Sequence, residues 1–113
     1  MNATGISNLF NGIPAALPEE LFQDLYDNGH TRIERIVSRG HRSPENFWFD
    51  QQWDEWVLLL KGAAGLLFEA QTAAITLAPG DCLLIPAGTK HRVVWTADQG
   101  ETVWLAVHVH NSK

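Results

Sequence analysis

The chain holds a single cysteine, Cys82. That excludes an intramolecular disulfide framework and any paired-cysteine zinc site. Long apolar runs are missing too. Segments such as Val57–Leu60 and Leu105–Val107 are far too short to span a bilayer as a helix. There is no excess of basic charge: 8 Lys and Arg stand against 13 Asp and Glu, a net charge of −5. This argues against a nucleic-acid backbone or an anionic membrane surface as partner. Met1 to Ala15 has no basic start followed by an apolar stretch, so no secretory signal is expected and the protein reads as cytoplasmic. Internal repeats and low-complexity segments are absent as well. What is present suits one globular domain: 113 residues, 45% of them apolar, with five tryptophans.

Residues 1–17 carry Gly, Asn and Pro without sustained periodicity and read as an arm on the surface. In Pro18–Asp27, Leu21, Phe22, Leu25 and Tyr26 recur at helical spacing, between Pro18 and Asn28-Gly29. The spacing predicts one short helix, with a strand as the alternative. From Thr31 the texture changes to short β-rich runs separated by Gly, Pro, Asn and Asp. Seven or eight strands at near-regular spacing predict an all-β sandwich or barrel. We therefore divide the chain into an arm with a short helix (1–30) and a barrel (31–113), one structural domain overall. In Thr102–His110 the odd positions Val103, Leu105, Val107 and Val109 form one face, and Trp104, Ala106, His108 and His110 the other. A strand apolar on both sides is covered on both sides. In a chain this short, the second cover is expected to be another copy, giving a homodimer.

The most informative stretch is Gly80-Asp81-Cys82-Leu83-Leu84-Ile85-Pro86-Ala87-Gly88-Thr89-Lys90-His91. A glycine turn leads into a short strand, Pro86 and Gly88 set a tight turn, and His91 begins the next strand. This spacing resembles the second sequence motif of the cupins, small jelly-roll barrels, with Trp95 where an Asn is usual. Glu55 and Gly62, six residues apart, match the second half of the first cupin motif. Its His-x-His does not appear. Counting three residues back from Glu55 puts Phe49 and Gln51 at those positions; counting four puts Trp48 and Asp50 there.

The resemblance implies a cupin jelly-roll barrel with a pocket for a small molecule. It also implies a divalent transition metal (Fe, Mn, Ni or Zn), with Gln51, Glu55 and His91 in ligand places and His108 and His41 as further imidazoles. The activities it implies are oxygenation or isomerisation. The alternative is a metal-free binding or sensing cupin, favoured by the missing histidine pair. Phe49, Trp53, Val93, Trp95 and Arg35 are the expected pocket residues. Trp95 is placed inward by its alternation with His91 and Val93, and an inward Arg35 would suit a carboxylate or phosphate; a solvated edge strand is the other reading of Arg35. Cys82, flanked by leucine, is expected in the core.

Overall fold

The computed structural model describes residues 5–110. Residues 1–4 and 111–113, the outer ends of the expected arm and barrel, lie outside them. Eight strands follow one another: β1 (Leu21–Asp27), β2 (Thr31–Ser38), β3 (Asp54–Lys61), β4 (Ala64–Phe68), β5 (Ile75–Leu77), β6 (Cys82–Ile85), β7 (His91–Thr96) and β8 (Thr102–Val109). They form a five-stranded sheet in the order β1-β2-β8-β3-β6 and a three-stranded sheet in the order β5-β4-β7. All pairings are antiparallel. This is the expected all-β, jelly-roll-like arrangement.

Period-two alternation builds the interior. On β3, Glu55, Val57 and Leu59 are buried between half-buried Trp56 and Leu58. On β8, Trp104, Ala106 and His108 face the same side. With Ala64, Leu66, Leu77 and Ile85 from the other strands, Val57, Leu59, Trp104 and Ala106 make the apolar core. The core fills one part of the interior, while Glu34, Glu55, His91 and His108 are buried together with it.

The β3–β4 turn shows why position 62 is glycine. Gly62 has φ +91°, and a Cβ there would collide with Thr102 Oγ1 and meet Thr102 Cα at 2.7 Å and the Glu101 carbonyl at 2.8 Å. Both the backbone sign and the space exclude a side chain.

Three sequence expectations are corrected. The predicted helix is strand β1. A bulge between Asp24 and Tyr26 inserts Leu25 into the ladder with β2. One extra residue breaks strict alternation and imitates helical spacing. Phe22, Leu25 and Tyr26 stay exposed, so no buried helical face existed to favour a helix. Cys82 is exposed, not in the core. It lies on edge strand β6, whose inward positions are Leu83 and Ile85. Arg35 is not on a solvated edge: β2 pairs with β1 on one side and β8 on the other.

Candidate functional site

A cavity of about 200 Å³ opens between the two sheets. Its apolar walls include Ile36, Val57, Leu66, Val93 and Trp104, and Phe22 reaches it from β1. Its polar groups come from four directions.

His91 opens β7 and is 5% exposed. Its Nδ1 lies 2.9 Å from the Thr89 carbonyl. A carbonyl only accepts, so Nδ1 carries a proton, and in the neutral ring Nε2 is the nitrogen with the lone pair. Nε2 points toward Oε1 of Glu55, 3.8 Å away, which is too long for a hydrogen bond. The Phe49 ring stacks on the imidazole, with centroids 5.5 Å apart.

Glu55, 6% exposed, sits on β3 opposite Ile85 on β6 and His108 on β8. Its Oε1 accepts a 3.0 Å hydrogen bond from Gln51 Nε2. The segment carrying Gln51 is held by backbone bonds. Phe49 and His91 exchange two N–H···O bonds of 2.8 and 3.1 Å, and the Gly88 N–H donates to the Gln51 carbonyl at 2.7 Å. Asp54 Oδ1 accepts from the Ala87 N–H at 2.9 Å. The Pro86–Gly88 turn is thereby clasped to the approach to β3, which brings Gln51, Glu55 and His91 to one wall. Phe49 and Gln51 line the cavity, whereas Asp50 is exposed.

A second polar cluster faces the same cavity. Nδ1 of His108 accepts from the Trp53 indole N–H at 2.9 Å. Its Nε2 donates to Glu34 Oε1 at 2.9 Å. Glu34 Oε2 and Asp24 share Nη1 of Arg32, each at 3.2 Å. Burial pushes the Glu34 carboxyl up, but the His108 hydrogen bond and the Arg32 charge outweigh it, so Glu34 titrates below the usual carboxylate range. It is an anion at neutral pH.

The structure thus gathers Gln51, Glu55, His91, His108, Phe49 and Val93 around one cavity. Other expected site residues fall elsewhere. Trp95 is 37% exposed and lies outside the cavity. The β4–β7 ladder shifts between Gly65 and Leu66, so that Gly65 pairs with Trp95 and Leu66 with Val93. This bulge reverses the alternation after Val93 and turns Thr96 inward instead. Trp95 lies across Gly65, where a Cβ would collide with the indole ring. Trp53 does not line the cavity; it serves His108 and stacks on His110, with centroids 4.5 Å apart. Arg35 is buried on the opposite face of β2. Its guanidinium donates to Gln23 Oε1 and to the carbonyls of Leu9 and Asn11, which pins the N-terminal arm. His41 lies in the loop after β2, where its Nδ1 accepts from the Arg39 N–H at 2.9 Å.

Sequence reasoning assigned no site role to Glu34, Arg32 or Glu20, all of which line the cavity. A carboxylate in mid-strand was the available signal. Its sense was ambiguous because both faces of β2 are partly apolar.

The donor set bears on the expected metal. Among the described residues, no three His, Cys, Asp or Glu side chains converge as metal ligands. Glu55 and His91 are two strong donors, and Gln51 adds a neutral amide. His108 has both ring nitrogens engaged, and Phe49 presents a carbon ring. These residues do not fit a tightly held resident divalent ion.

The fold has parallels in known proteins. A crystal structure from Ralstonia eutropha JMP134, provisionally named a mannose-6-phosphate isomerase, is 45% identical. The match covers 94% of this chain and 98% of that one, with a TM-score of 0.90. A cupin superfamily protein from Desulfitobacterium hafniense DCB-2 is 22% identical over 88% of this chain and 84% of that one, with a TM-score of 0.71. The polyketide cyclase RemF from Streptomyces resistomycificus shares the fold at 20% identity, 83% and 67% coverage and a TM-score of 0.70. No curated protein matches the chain. Residues 35–108, from the middle of β2 to the inward histidine of β8, match the Cupin_2 family, described as a cupin domain. The chain belongs to the cupin family.

Proposed function

We propose that this cupin is a small-molecule isomerase that shifts a proton within its ligand, using His91 and Glu55 and no resident metal. The observation that carries the reading is Nε2 of buried His91, 3.8 Å from Glu55 Oε1 at the wall of the cavity. The Thr89 carbonyl fixes the tautomer, so Nε2 is held ready as a base. Two proton acceptors this close can serve adjacent atoms of one ligand. His91 Nε2 takes a proton from the carbon beside a carbonyl, and the C–H electron pair forms the enediol double bond. Glu55 takes the neighbouring hydroxyl proton and passes it to the carbonyl oxygen. His91 returns its proton to the former carbonyl carbon. The exchange is redox-neutral and needs no co-reactant. The name of the Ralstonia structure, an isomerase, supports the same class.

A cytoplasmic homodimer is part of the proposal. The outer face of the large sheet carries half-buried Trp56, Leu58, Leu105 and Val107 beside exposed Leu84, a surface suited to a second copy. A single, exposed thiol suits a reducing compartment.

The test is deuterium wash-in from D₂O, followed by NMR, on a panel of small hydroxy-aldehydes and hydroxy-ketones. Chelator-treated protein is expected to introduce deuterium beside the carbonyl. Exchange that appears only after adding Fe, Mn, Ni or Zn would replace this reading with a metal-dependent one. Ligand binding with no exchange under either condition would make the protein a binding module.

A further inference from the structure

We infer that the cavity takes an uncharged, hydroxylated ligand about the size of one six-membered ring, and rejects its phosphorylated form. The inference deepens the isomerase reading and rests on it only for the choice of cavity.

The charge of the lining is the first ground. Glu20, Glu34 and Glu55 face the cavity, and Arg32 is the one Lys or Arg among the described lining residues. Nη1 of Arg32 is shared between Glu34 and Asp24 at 3.2 Å each, so its charge is already answered. Among the described lining residues, a phosphate here would meet three carboxylates in a partly desolvated space, against one guanidinium that already pairs with Glu34 and Asp24. Like charges held without counter-charge repel strongly when water is thin.

Hydrogen-bonding sense is the second ground. The imidazole N–H groups are committed: His91 Nδ1 to the Thr89 carbonyl, and His108 Nε2 to Glu34. Gln51 Nε2 donates to Glu55. The lone pairs on His91 Nε2 and on the carboxylates of Glu55, Glu34 and Glu20 outnumber the donors beside them, the second N–H of Gln51, the Ser43 hydroxyl and the other N–H groups of Arg32. An acceptor-rich pocket is matched by a ligand that donates, and hydroxyl groups donate without bringing charge. The Phe49 ring and the aliphatic walls suit the C–H face of such a molecule.

Size is the third. A cavity of about 200 Å³ compares with the roughly 150 Å³ that admits benzene in an engineered apolar site. A single ring with hydroxyl groups fills it, and a phosphoester arm adds volume and charge beside a lining that holds Glu20, Glu34 and Glu55.

The experiment is equilibrium binding, by calorimetry or ligand-observed NMR. It compares D-mannose, D-fructose and D-xylose with D-mannose 6-phosphate and D-fructose 6-phosphate. At least one uncharged sugar is expected to bind tenfold or more tightly than either phosphate. Replacing Glu20 by Gln is expected to narrow that ratio at least threefold, with the melting curve confirming the fold. Equal or tighter binding of a phosphate overturns the inference, and so does failure of every uncharged sugar to bind. Deuterium wash-in separates the two proposals. Exchange on a phosphorylated sugar alone overturns the ligand class and leaves the isomerase reading standing. Preferential binding of an uncharged sugar without exchange upholds the ligand class and removes the isomerase reading.

Discussion

The indole N–H of Trp53 donates to Nδ1 of His108 at 2.9 Å. An indole has no acceptor, so this one contact fixes His108 as the neutral tautomer with its proton on Nε2, where Glu34 receives it. A residue outside the cavity thus sets the chemistry of one inside.

Replacing Trp53 by Phe is therefore expected to free Nδ1 and destabilise the fold by about 1 kcal/mol, the net worth of one hydrogen bond with most of the ring retained. Imidazole ¹⁵N NMR checks it. The wild type should show His108 as the Nε2–H form throughout neutral pH, and the variant should show a tautomer mixture. An unchanged His108 signal would mean that Trp53 does not set the tautomer.

Glu34 supplies a pH dependence. Its carboxyl is held below the ordinary glutamate value of about 4.5, and a group depressed on folding stabilises the native state above its unfolded pKa. That contribution is fully present above about pH 4.5 and is lost as pH falls through the lower folded value. Glu34→Gln should cost about 2–3 kcal/mol at pH 7, because a charged hydrogen bond goes and Arg32 loses a partner. Urea melts at pH 7 and pH 3 measure it: the difference between wild type and variant should shrink at pH 3. A constant difference would place the effect in packing.

His91→Ala is expected to cut proton exchange by about a hundredfold or more, the usual range for a positioned general base. The lost ring leaves space at the cavity rather than in the sealed core, so the melting temperature should move little. Full exchange in the variant would assign the base elsewhere, with Glu55 the next candidate.

Gly62→Ala should cost about 2 kcal/mol or more, since a Cβ would meet backbone atoms of Glu101 and Thr102 at a positive φ. Denaturant unfolding checks it, and a loss under about 0.5 kcal/mol would mean the β3–β4 turn relaxes freely.

Leu84 lies opposite Trp56 on the outer face of the large sheet. Light scattering of the wild type is expected to give twice the 12.6 kDa chain mass, and Leu84→Glu should shift it toward a single chain. A wild type already at one chain mass would reject the dimer.

Much of this was readable from residues alone. Strand number follows from the Gly and Pro punctuation after Thr31. The two faces of β8 follow from two-residue alternation, a local and strictly periodic signal, while its pairing with β3 decided which of them points inward. Glu55, Gly62 and His91 stood out because turns and strand starts need particular residues at fixed spacing. Alternation failed where a bulge inserted a residue. Leu25 made β1 read as a helix, and the shift at Gly65 turned Trp95 outward. A bulge is decided by pairing with a distant strand, so nothing local announces it. Strand order is non-local as well. Only when β8 settles between β2 and β3 does His108 reach Glu34 on one side and stand opposite Glu55 on the other. The sequence determined which side chains share a face within an unbroken strand and where the chain must turn. The tertiary structure decided which of those inward groups meet, because hydrogen bonds of about 3 Å between residues more than fifty positions apart exist only after the sheets have closed.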